Sequence, residues 1–81
     1  MNMKGVVFKQ YVLWKMAKVL KGLSEKGYKC KKEKEKNMYF QQMTAVANFA
    51  TEILGDEYFS DISYIYSHYL DCLDEGEGGD F

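Results

Sequence analysis

The chain contains no proline and no arginine, one histidine and two cysteines in 81 residues. Each shortage excludes something. Two cysteines, Cys30 and Cys72, are too few for a disulfide-stapled scaffold, and reduced thiols are expected. No stretch approaches the ~20 apolar residues of a membrane span. The run of Val6, Val7 and Phe8 is cut by Lys9, and Lys15, Lys18 and Lys21 interrupt the residues beyond it. The start of the chain lacks the uninterrupted apolar core and small-residue cleavage site of a secretion signal. No membrane association and a cytoplasmic location are therefore expected. The glycines stand singly or gather near the C-terminus, and none forms a phosphate-cradling loop between a strand and a helix.

Catalytic and metal-binding chemistry is equally sparse. His68 is the one side chain that can act as a general base near neutral pH without a large pKa shift. Asp71 is placed to orient it, and Cys72 stands four residues on, which makes a dyad on one helix face. No oxyanion loop or glycine elbow accompanies the dyad. His68, Cys72 and Cys30 amount to three metal ligands, where a structural zinc site wants four in paired short spacings. Neither an enzyme nor a metal or other cofactor is expected.

What is present is helical periodicity. The absence of proline and 47% hydrophobic residues point to an ordered chain. Over residues 6–26 the apolar positions Phe8, Val12, Met16, Val19, Leu20 and Leu23 recur at helical spacing, with Lys15, Lys18 and Lys21 opposite. Gly27 is expected to end this helix. Gly22 marks either a close contact or an earlier break, and Trp14 lies off the stripe, as core or as partner contact. Residues 5–14 include good strand formers, but a lone strand has nothing to pair with. Over 34–54 the stripe is Tyr39, Met43, Val46, Ala50 and Ile53, widened by Phe40, Ala47 and Leu54. The alternation of fours and threes suits a helix packed against an antiparallel neighbour. Gly55 ends it, and Asp56 is expected to cap the next helix, over 57–74. That third stripe runs Phe59, Ile62, Ile65/Tyr66, Tyr69, Leu70 and Leu73. The expected fold is all-α: a small three-helix bundle in one domain over 1–75, with a mobile acidic tail over 76–81.

Charge is the unusual feature. Residues 1–36 hold eleven lysines and three acids, a net of +8, whereas 37–81 hold nine acids and no lysine. A formal net charge of −1 hides a strongly segregated chain. Four explanations are open. Lysines of the first helix can lie beside acids of the third within one molecule. Opposite ends of two molecules can meet, giving a homo-oligomer or a self-assembling structural protein. Lys29, Lys31, Lys32, Lys34 and Lys36 can track a phosphate backbone. The missing arginine, the interleaved Glu33 and Glu35 (i, i+4 from Lys29 and Lys31) and the acidic second half count against nucleic acid. Finally, Asp56, Glu57, Asp61, Tyr64, Asp71, Asp74 and Glu75 can face the basic groove of a protein partner.

Lysine in place of every arginine is the coding bias of an AT-rich genome, such as that of a low-GC bacterium, its phages or another virus. Small phage and mobile-element proteins that inhibit host nucleases, anti-CRISPR proteins among them, resemble this chain in size and composition. No motif places it in a family. The expected function is a non-catalytic interaction protein, of phage or mobile-element type, that binds and inhibits or modulates a host protein through its acidic, tyrosine-rich surface. A lysine-driven nucleic-acid binder is the alternative, and a self-assembling structural protein the third.

Overall fold

The computed structural model describes residues 3–76. It is a bundle of three helices, α1 (Met3–Lys29), α2 (Glu33–Leu54) and α3 (Phe59–Glu75), with one 3-10 turn at Asp56–Tyr58 before α3. Residues 77–81 of the expected tail lie outside the described residues. Gly76, assigned to that tail, instead closes α3: it takes a left-handed conformation (φ 79°) and donates its N–H to the Cys72 carbonyl at 2.8 Å.

The helix ends obey local chemistry with two corrections. Gly27 does not stop α1, which continues to Lys29. Gly27 is buried inside the helix, and a Cβ there would overlap Leu73 of α3 and lie 3.1 Å from the Tyr39 Cβ of α2. The glycine is used for close approach of three helices rather than for termination. Asp56 does not cap α3, since neither Asp56 nor the residue before α3 makes a side-chain cap bond. The junction is carried by Gly55 at φ 83°, whose N–H bonds the Thr51 carbonyl at 2.8 Å. Glu33 and Glu35 occupy the first turn of α2 and Lys26 and Lys29 the last turn of α1, each sign matching the nearby helix pole.

The topology is up-down-up. Lys9 reaches Glu57 and Gly27 meets Tyr39, so α1 and α2 are antiparallel. Gly27 also meets Leu73, and the Tyr28 ring covers Gly76, so α3 runs parallel to α1. The bundle is elongated, 48 × 22 × 16 Å. Its core is narrow: Met16 and Leu20 from α1, Met43, Ala47, Ala50 and Leu54 from α2, and Ile62, Tyr69, Cys72 and Leu73 from α3. The one buried polar residue of the core region, Ser24, donates its hydroxyl to the Lys21 carbonyl at 2.8 Å, so nothing polar is stranded there.

Several expected core residues are on the surface. Phe8, Val19, Phe40, Ile53 and Phe59 are all more than two-fifths exposed. Each helix in a three-helix bundle has two neighbours and buries one sector. The apolar sectors of α1 and α2 are wider than that, and Val19 and Ile53 fall in the groove between these two helices. Phe8 is exposed for a second reason: Lys9 is already level with the Asp56–Tyr58 turn, so the first turns of α1 run past the start of α3.

Candidate interaction surfaces

The outer face of α3 is set directly by its period. Asp61, Tyr64, Asp71 and Glu75 recur at threes, fours and sevens, opposite Ile62, Tyr69 and Leu73. Asp61, Tyr64, Asp71, Asp74 and Glu75 are exposed, as are Asp56 and Glu57 in the turn that leads into α3. Tyr64, at 70%, is the most exposed of the large apolar or aromatic side chains of the described residues. On α3 itself Asp61, Tyr64, Asp71 and Glu75 span about 21 Å at 1.5 Å per residue.

Among the described residues one ion pair joins the two halves, Lys9 Nζ to Glu57 Oε1 at 3.2 Å. The same ammonium lies 5.8 Å from the Tyr58 ring centroid.

The lysine cluster is divided among three elements. Lys29 ends α1, Lys31 and Lys32 lie in the connecting turn, and Lys34 and Lys36 stand in the first turn of α2. The helix break at residues 30–32 removes the i, i+4 pairing of Lys29 with Glu33 and of Lys31 with Glu35, and neither ion pair forms. Lys36 is half-buried and the other four are exposed. Because Gly76 packs on Tyr28, the C-terminal acids of α3, Asp74 and Glu75, reach the same end of the bundle. A polyanion approaching the lysines meets those carboxylates as well.

His68 and Cys72 lie on α3, and Cys30 just beyond the end of α1. Among the described residues no three His, Cys, Asp or Glu side chains group to hold a metal ion. The His68 ring packs edge-on against Tyr69 with centroids 4.8 Å apart. Both cysteines are free. Burial pushes the Cys72 thiol above its ordinary range, and the Asp71 charge adds to the shift. Desolvation and then Glu35 raise Cys30, whose thiol donates to the Lys26 carbonyl at 3.3 Å. A thiol nucleophile needs the opposite shift.

Two surfaces escaped the periodicity. Trp14 is half exposed, with Lys18 Nζ 4.8 Å from its ring centroid and Lys15 Nζ at 5.7 Å, and Tyr11 lies 6.1 Å away ring to ring. Beside it, Val12, Val19, Val46, Phe49 and Ile53 line an almost wholly apolar groove between α1 and α2, with Met16 and Ala50 at its base and Lys15 on its wall. The readable signal was the width of the α1 and α2 stripes, broader than one neighbour-facing sector requires. No helix of the described residues is long and apolar enough to cross a membrane. No protein-family model, curated protein or solved structure matches the chain.

Proposed function

We propose that this is a non-catalytic interaction protein that binds a host protein in the cytoplasm, of the class that processes nucleic acid or acts in defence, and occupies its basic groove. The observation that carries this is the exposed face of α3: four acids, Asp61, Asp71, Asp74 and Glu75, and Tyr64 on one helix, with Asp56 and Glu57 in its lead-in turn. Carboxylates spaced along a rigid rod present charge where a groove expects phosphates. Tyrosine adds contact area at low conformational cost. Thiols shifted up rather than down also favour a binding role over a thiol nucleophile.

The test compares captured partners of the tagged wild-type chain with those of a variant carrying Asp61→Asn, Asp71→Asn, Asp74→Asn and Glu75→Gln. A protein held by the wild type, released by salt and lost from the variant is the expected result. Equal capture by both chains removes the acidic face from the function, and a turnover activity abolished by His68→Ala removes the non-catalytic role. A lysine-driven nucleic-acid binder ranks second, on the exposure of Lys29, Lys31, Lys32 and Lys34. It requires a shift of DNA or RNA at low ionic strength that disappears when those lysines and Lys36 become glutamine.

A further inference from the structure

The apolar groove between α1 and α2 lies on the opposite side of the bundle from α3, so the proposed acidic contact does not cover it. Phe8, Val19, Phe49 and Ile53 are 57, 47, 58 and 42% exposed along this face. At about 200 Å² for a whole Phe and somewhat less for Val or Ile, these four leave roughly 400 Å² of apolar surface open to water. A contiguous patch of that size marks an interaction site on a small monomer. It is about half of one side of a standard protein interface, and exposed Tyr11, Met38 and Gln42 extend it by helical spacing.

We propose that a second copy of this chain covers this face, about a two-fold axis running parallel to the helices. Charge selects both the occupant and the axis. A formal net charge of −1 gives two copies no overall repulsion. The Lys9–Glu57 and Gly27–Tyr39 contacts fix the antiparallel register of α1 and α2, which brings Lys15 level with Thr51 and Glu52. Lys15 rises from the α1 wall of the groove near its midpoint, and Glu52 is exposed on the outer edge of α2. An axis across the helices would stack α1 on α1 and set Lys15 over Lys15 of the second copy. The axis along the helices instead lays α1 over α2 of the second copy and opposes Lys15 to Glu52 twice. Lys15 leaves its contacts over Tyr11 and Trp14 (6.0 and 5.7 Å) by rotating a flexible stem. The product is a four-helix core of two α1/α2 pairs, with an α3 and its acids outside on each flank. It is isologous and closed, unlike a head-to-tail chain of opposite ends.

The experiment is sedimentation of the full chain from about 1 µM to about 1 mM, a range that spans weak to firm association. A mass rising from 9.4 kDa to twice that value is expected. Phe49→Glu, at an exposed position, is expected to keep the helical circular dichroism and to weaken the dimer about tenfold or more. Lys15→Glu and Glu52→Lys are each expected to weaken it several-fold, and the double variant to restore it. A monomer at every concentration overturns the proposal, as does a dimer indifferent to Phe49→Glu. Unaltered dimers in both single charge variants overturn the axis.

Discussion

Tyr66 Oη lies 2.7 Å from Thr44 Oγ1 across the contact between α3 and α2. The single hydroxyl proton of Thr44 is directed to the Phe40 carbonyl at 3.0 Å, so Tyr66 is the donor to Thr44. Tyr66→Phe removes that donor and leaves no proton stranded. The expected loss is about 1 kcal/mol, read from urea denaturation with helix content unchanged. Thr44→Val leaves the half-buried Tyr66 hydroxyl without this acceptor and is expected to cost at least as much. The double variant should cost less than the two singles together, because one bond is lost in all three.

Two glycines of α1 respond in opposite directions. At Gly27 an added methyl would overlap Leu73 and press on Tyr39, so Gly27→Ala is expected to destabilise by about 1–3 kcal/mol. At Gly22 a Cβ meets nothing within 4 Å, and the helix gains propensity. Gly22→Ala is expected to stabilise by about 0.5–1 kcal/mol. Thermal melts of the two variants side by side check the contrast.

Trp14 reports on the surface of α1. Its emission is expected to be red-shifted, and quenched more by iodide than by caesium, because Lys15 and Lys18 lie over the ring. Trp14→Ala is expected to change stability by about 1 kcal/mol or less, since the ring is half exposed and not in the core. A larger loss on melting would show that Trp14 is more deeply engaged.

The thiols give a pH dependence. Both have folded pKa values above the ordinary thiol range, chiefly through desolvation. The unfolded chain therefore ionises first as pH rises. The stability associated with neutral Cys72 is fully present at neutral pH and is lost as pH climbs through its folded value. Alkylation at neutral pH is expected to be slow at both sites and slower at buried Cys72 than at half-buried Cys30. Rapid Cys72 labelling under native conditions would contradict this packing.

The amino-acid order alone determined that this chain forms three helices, because apolar spacing, Gly55 and the charge at the helix ends are local effects that need no knowledge of neighbours. It also placed Asp61, Tyr64, Asp71 and Glu75 on one face, since the helix period settles which positions lie together. Tertiary structure decided the rest. A helical stripe says which residues are apolar, while the number and placement of neighbours says how much of the stripe is covered. That is why Met16 and Leu20 are buried, whereas Phe8 and Val19, members of the same stripe, are on the surface. A glycine reads the same in sequence whether it ends a helix or admits another, and only the approach of Leu73 and Tyr39 shows that Gly27 does the second. The charge segregation was visible from composition. That Lys9 of the basic half meets Glu57 of the acidic half was decided only by the fold.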